Sequence, residues 1–282
     1  MNALAIESIG LIAPGLSGWE NSRPVLAGEQ PYHAAPIPAT IATLLPANER
    51  RRTTATVKLA LQVAQEAMVS MSLNNKHANH AGTTHPSSLS EEGNMCVRTV
   101  LASSGGDSEV LDKICVTLTE PDRMVSPTQF HHSVHNTPAG YWAIATGCTL
   151  PSLSLSAYDG SFAAGLQEAA ALAWTEEARV LLVAYDLPLP FPLSERRMIV
   201  APFAVALLLN PMTTTQRLTL LRLKPGEIQS ADRLNHAGLE QLRTGNPAAR
   251  SLPLLCAIAQ LKTGSVALDA GHETILNMEV TP

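Results

Sequence analysis

The 282 residues carry 19 Lys+Arg against 24 Asp+Glu, a formal net charge of −5, and are 45% hydrophobic and 15% charged. That balance excludes a disordered chain and leaves no basic field to gather phosphates, so no nucleic acid is expected as a partner. The longest apolar run, Phe203 to Leu209, falls far short of the roughly 18 residues of a membrane span. No basic residue precedes Arg23 to open a secretory signal, which implies a cytoplasmic protein with no membrane span.

In chain order, Ala3 to Ile12 reads as a strand ended by Ala13-Pro14-Gly15. Val57, Leu61, Ala64 and Met68 recur at helical steps and predict one helix over Asn48 to Met71, capped by Asn48. Residues 74–94, rich in Asn, His, Ser and Thr, read as an exposed polar insertion. Cys96 to Ala102 is a strand running through Ser103-Ser104-Gly105-Gly106-Asp107 into a helix marked by Val110, Leu111, Ile114 and Leu118. Pro138 opens a helix to Thr146, Leu153 and Leu155 alternate with serines, and Phe162 to Trp174 is an Ala-rich helix. Arg179 to Tyr185 and Phe203 to Leu209 are buried strands. Leu218 to Leu223 follows as a strand, Ala248 to Leu261 as a helix, and His272 to Val280 as a closing strand. The alternation predicts a layered α/β domain with a sheet covered on both faces.

Four segments offer chemistry. In Phe130-His131-His132-Ser133-Val134-His135, His131 and His135 would share a helix face, but Pro127 and Pro138 bracket the segment and no carboxylate lies within it, so no metal is expected. Gly105-Gly106-Asp107 lacks the spacing of a phosphate loop and reads as a tight turn. Cys148 has histidines nearby in sequence, yet nothing fixes one as its base. The cysteines, Cys96, Cys115, Cys148 and Cys256, form no C-x-x-C pair and are expected reduced and mostly buried. Finally, Ser154 to Leu166 has the form of strand, sharp turn and small-residue helix, a nucleophile elbow with Tyr158 or Asp159 at the attacking position.

The residues at this elbow and upstream resemble the β-ketoacyl synthases of the thiolase superfamily. Ile9-Gly10-Leu11-Ile12-Ala13-Pro14 with Trp19 and Leu26-Ala27-Gly28 is similar to their opening strand and helix. Val125-Ser126-Pro127, Asn136, Ala139-Gly140, Ile144, Gly147 and Pro151 follow the family's run toward its active cysteine. The resemblance implies a thiolase-like layered α/β/α fold, with a ketosynthase N-terminal-like part over 1–210 and a reduced C-terminal portion over 211–282. Asp159 or Tyr158 then stands where the family has its cysteine, Ser161 matches the serine two places on, and no H-G-T motif occurs. His272 follows Gly271 but precedes no predicted helix, so the family's histidine role is not carried to it.

The chain therefore resembles an inactive, chain-length-factor-like subunit, similar to those of bacterial aryl polyene pathways. Such a subunit implies a heterodimer with a catalytic β-ketoacyl synthase, contact with acyl carrier protein through that complex, and no cofactor. Phe130, His131, Val134, His135, Trp142, Leu153 and Leu155 are the expected tunnel or interface residues. Arg50, Arg51 and Arg52, expected at the start of the long helix and against its dipole, are candidates for carrier-protein contact. The competing readings are an acyltransferase or hydrolase using Cys148 or Ser161, and a free-standing carrier-protein-binding protein.

Overall fold

A computed structural model describes residues 3–79, 95–212, 217–224 and 230–282, with the backbone alone for 71–79. In chain order the elements are β1 (Leu4–Ala13), β2 (Leu16–Ser17), α1 (Trp19–Ala27), α2 (Ala47–Arg52), α3 (Ala55–Asn79), β3 (Arg98–Ala102), α4 (Ser108–Thr119), α5 (Pro127–His132), α6 (Thr137–Thr146) and β4 (Ser152–Leu155). They continue with α7 (Ser161–Glu176), β5 (Val180–Asp186), α8 (Leu193–Arg196), β6 (Phe203–Asn210), β7 (Thr219–Lys224), α9 (Ala237–Gly245), α10 (Leu252–Ala259), β8 (Gly264–Asp269) and β9 (Ile275–Thr281).

One sheet joins the strands in the order β4-β3-β5-β6-β1-β7-β9-β8, with β2 folded back on the end of β1. β3 runs parallel to β4 and β5, while β5–β6, β6–β1, β1–β7, β7–β9 and β9–β8 are antiparallel. The sheet is thus mixed and continues across residue 211. Strands β1, β5 and β6 are buried at every position. Their alternate residues feed two cores: Leu182, Ala184, Val205 and Leu207 pack with α1, α7, α9 and α10, and Leu181, Val183, Ala206 and Leu208 with α3 and α6. A strand covered on both faces must be apolar throughout, which is why these segments stand out in the sequence.

Glu7 is the charged residue inside β1. It is 5% exposed, takes two hydrogen bonds from Arg179 at 2.7 and 3.2 Å and one from Asn210 Nδ2 at 2.7 Å, and sits where the β1–β6 register shifts between Ile6 and Ser8. The shift frees the side chain to reach its partners instead of leaving an unpaired charge in the core.

Several expectations are corrected. The single helix from Asn48 is two: Thr53 is extended, its hydroxyl donates to the Arg50 carbonyl at 2.8 Å, and Asn48 caps nothing because the N-cap is Pro46. Arg50, Arg51 and Arg52 therefore occupy the last turn of α2, where cations favour the dipole rather than oppose it. Of the polar insertion, 74–79 are the end of α3, and 80–94 lie outside the described residues. The cysteines are not all reduced and buried: Cys96 and Cys148 form a disulfide, Cys115 is exposed and Cys256 is half-buried. Helix α9 and strand β8 carry no sequence-based expectation. No helix among the described residues is long and apolar enough to cross a membrane.

β1 and α3 meet at Gly10, where a Cβ would lie 2.1 Å from the Val63 carbonyl oxygen. Backbone rather than a movable side chain blocks the space, so Gly10→Ala should lower unfolding free energy by about 2–3 kcal/mol, read as a shift in urea midpoint at unchanged slope.

Candidate functional site

The elbow is built by the parallel pair β3–β4. β4 ends at Leu155, the chain bends at Tyr158, which takes the left-handed φ of 52°, and a 3-10 turn over Tyr158–Gly160 delivers α7. Ser161 is 1% exposed: its hydroxyl donates to the Tyr158 carbonyl at 2.7 Å and accepts the Ala157 N–H at 3.0 Å. Both roles brace the bend, so Ser161 is a turn residue rather than the free nucleophile of the enzymatic reading. Gly160 allows the bend to touch the β8–β9 turn, since a Cβ there would lie 1.9 Å from the Ala270 carbonyl oxygen.

At the attacking position lies an ion network. Asp159 accepts from Arg197 Nη2 at 2.8 Å through one oxygen and from Arg250 Nη2 at 3.1 Å through the other. Arg250 also pairs with Asp269 at 2.8 Å, and the Arg197 guanidinium stacks 3.9 Å above the Tyr158 ring. The arginines come from the segment after α8 and from the 3-10 turn Ala248–Ser251, and Asp269 ends β8. Beside the network opens a cavity of about 420 Å³ lined by Tyr158, Asp159, Arg250, His272 and Thr274 among others. His272, given no role from the sequence, thus borders the same cavity as the elbow, from the β8–β9 turn. Both oxygens of the Asp159 carboxylate are thus engaged by guanidinium groups.

Cys148, the other enzymatic candidate, is 7% exposed and bonded to Cys96, so it holds no free thiol here. Among the tunnel or interface candidates, Phe130 and Val134 are 67% and 48% exposed and His131 is also on the surface. His135 Nε2 lies 3.2 Å from the Ser103 carbonyl, which fixes that nitrogen as the protonated one. Trp142 lies inside rather than on the surface. It is buried in the core beneath α3, beside Leu61, Ala64 and Leu181, because its position on α6 faces the sheet. His131 and His135 do not share a helix face, since α5 ends at His132. His132 is buried and stacks on Tyr141 at 5.6 Å; burial, then His131, holds its pKa below the ordinary imidazole value against the pull of the Arg52 backbone. No group of three His, Cys, Asp or Glu able to hold a metal occurs among the described residues.

Leu153 is 40% exposed on β4, whose outer side pairs with no strand among the described residues, whereas Leu155 is partly buried against the core. Leu111, Val116 and Leu118 of α4, Met124, and Ile144 of α6 are also exposed apolar side chains.

Sequence reasoning missed Asp186. It ends β5 fully buried, and one of its oxygens accepts from Ser104 N–H at 2.8 Å, Ser104 Oγ at 2.7 Å and Ser103 Oγ at 3.2 Å. Its available signal was a lone carboxylate closing an all-apolar strand. Burial raises its pKa to about 6 against the pull of these donors and of Arg197. The folded state therefore binds this proton more tightly than the unfolded chain, whose carboxyl titrates near 3.8. Stability should fall by up to about 3 kcal/mol as pH rises from about 4 to 6. Asp186→Asn should flatten that slope in thermal melts taken across the window.

A family model described as β-ketoacyl synthase, N-terminal domain, matches residues 84–266. No curated protein matches the chain. Among solved structures, a ketosynthase (ApeO) in complex with its chain length factor (ApeC) from Xenorhabdus doucetiae aligns over 98% of this chain and 99% of the other, at 24% identity and TM-score 0.67. The ishigamide ketosynthase/chain length factor aligns over 99% and 98%, at 13% identity and TM-score 0.66. A type II PKS acyl-carrier protein in complex with its ketosynthase, AntDE:AntF, aligns over 99% and 98%, at 12% identity and TM-score 0.64. The fold is that of the thiolase-like ketosynthases.

Proposed function

The chain belongs to the β-ketoacyl synthase N-terminal domain family, and we propose that it is a chain-length-factor-like subunit, without condensing chemistry of its own, that pairs with a catalytic β-ketoacyl synthase. The setting is cytoplasmic elongation of the fatty-acid or polyketide type, as for aryl polyenes, with residues 1–210 the ketosynthase N-terminal-like part and 211–282 a reduced C-terminal portion. The observation that carries this reading is the apolar edge of the sheet. β4 pairs with no strand on its outer side among the described residues and carries the 40%-exposed Leu153. Such an edge is a template for another chain and a liability if left bare. The Asp159–arginine network supports the non-catalytic part, and the ketosynthase and chain-length-factor structures that share the fold support the kind of partner.

Phe130, Val134 and His131, outside the core on the same end, are then the side chains that approach the partner's acyl tunnel, with His135 behind them. Co-expression with a full-length ketosynthase from the same gene neighbourhood tests the reading. The two should co-elute through an interface of more than about 2,000 Å², and Leu153→Asp should abolish co-elution while leaving this chain folded by circular dichroism. An unchanged elution profile overturns the edge assignment. Purified alone, the protein should give no decarboxylative condensation with acyl and malonyl carrier proteins, and product formation there overturns the non-catalytic reading.

Arg50, Arg51 and Arg52 at the C-terminal turn of α2 form a basic patch on a chain of net charge −5. In this reading they attract the acidic acyl carrier protein to the assembled complex. Replacing all three with Ser should weaken carrier-protein binding and reduce its salt dependence, measured by titration at low and high ionic strength. Affinity of the triple variant unchanged from the wild type at both salts overturns the contact.

A further inference from the structure

Cys96 lies two residues before β3 and Cys148 four residues before β4, so their disulfide joins the entrances of two adjacent parallel strands. Between them, over a sequence separation of 52, run α4, α5 and α6, the whole apolar excursion at this end of the sheet. β4 is four residues long and, among the described residues, pairs only with β3, in register from Thr99↔Ser152 to Ala102↔Leu155. Closing a loop of that length by a covalent bond removes much of the freedom the neck of the excursion would otherwise have. The cross-link therefore acts on a short edge strand of the sheet.

Other features point to a bond that opens and closes. The chain keeps an exposed free thiol at Cys115, as chains in reducing surroundings do, and disulfides found there are characteristically transient. The Cys148 sulfur lies 3.8 Å from the Val97 carbonyl oxygen, so the thiol formed on reduction has an acceptor already in place. Cys96 is half-buried whereas Cys148 is buried, which makes the Cys96 sulfur the accessible one. Cys256 does not compete, because burial pushes its pKa up to about 12.

We propose that the Cys96–Cys148 disulfide is a reversible thiol switch on the edge strand: closed, it holds β4 against β3 for the partner, and open, it loosens that strand. The effect on the partner rests on the proposed ketosynthase pairing. In the opening step a thiolate of a small dithiol reductant attacks the Cys96 sulfur, and the S–S bond breaks as Cys148 leaves as thiolate and takes a proton. The reductant's second thiol then attacks the mixed disulfide and releases Cys96. Two electrons and two protons pass to the protein, and the reductant closes its own disulfide.

The full chain, equilibrated in glutathione buffers from reducing to oxidising and then alkylated in denaturant, should show four labelled cysteines at one extreme and only Cys115 and Cys256 at the other. Hydrogen exchange at residues 152–155 should be at least about tenfold faster in the reduced protein. A variant carrying Cys96→Ser and Cys148→Ser should exchange at the fast rate in both buffers. Failure of the bond to form under oxidising conditions, or equal exchange in the two states, overturns the switch. Binding of the co-expressed ketosynthase is measured separately in both buffers, with several-fold weaker affinity expected after reduction. Binding in neither buffer overturns the pairing while the exchange result still decides the switch, and equal affinity in both overturns its effect on assembly.

Discussion

The demand that three neighbouring strands be buried on both faces governs this molecule. β5, β6 and β1 lie side by side with α7 and α10 on one face and α3 on the other, and no residue of the three strands reaches solvent. With both faces occupied, helix backbone approaches strand backbone closely, as at Gly10 against Val63. The two carboxylates that enter this slab, Glu7 and Asp186, sit where a register shift or a strand end supplies partners.

From that centre the sheet loses cover outward in two different ways. Toward β8 and β9 it closes with antiparallel hairpins whose last turn packs on the elbow, so the end of the chain becomes a wall of the candidate site. Toward β4 it simply stops, at a short parallel strand flanked by exposed Leu153 and α4. The elbow lies at the C-terminal end of β4 and therefore belongs to both regions. One set of backbone contacts holds the bend against the hairpin while the adjoining strand presents an open edge.

The parts legible in the sequence follow from the same demand. Phe203 to Leu209 and Arg179 to Tyr185 were readable because a doubly covered strand admits hardly any polar residue, and α7 because Ala and Gly recur where it crosses the sheet. β8 was not readable, since its six residues, Gly264 to Asp269, carry only weak alternation. The break between α2 and α3 was hidden because Thr53 and Thr54 are compatible with helix, and it is marked by side-chain bonds, from the Thr53 hydroxyl back to the Arg50 carbonyl and from the Val57 N–H to the Thr54 hydroxyl. At the site, the sequence located the elbow and the odd residues Tyr158 and Asp159. It gave no sign of Arg197 or Arg250, whose meeting with Asp159 depends on segments 38 and 91 residues away. The disulfide was equally hidden, for a separation of 52 residues carries no pairing signal of its own.

The network at the elbow has an electrostatic consequence. Asp159 and Asp269 carry two negative charges, and Arg197 and Arg250 two positive ones, so the four side chains sum to zero and satisfy one another. An incoming carboxylate or phosphate would have to displace Asp159 or Asp269 from a guanidinium before gaining a comparable contact, an exchange of one anion for another with little net attraction. Both arginines are therefore already paired with carboxylates, so an anion arriving beside the stacked Tyr158 ring meets a charge-balanced cluster rather than free guanidinium groups.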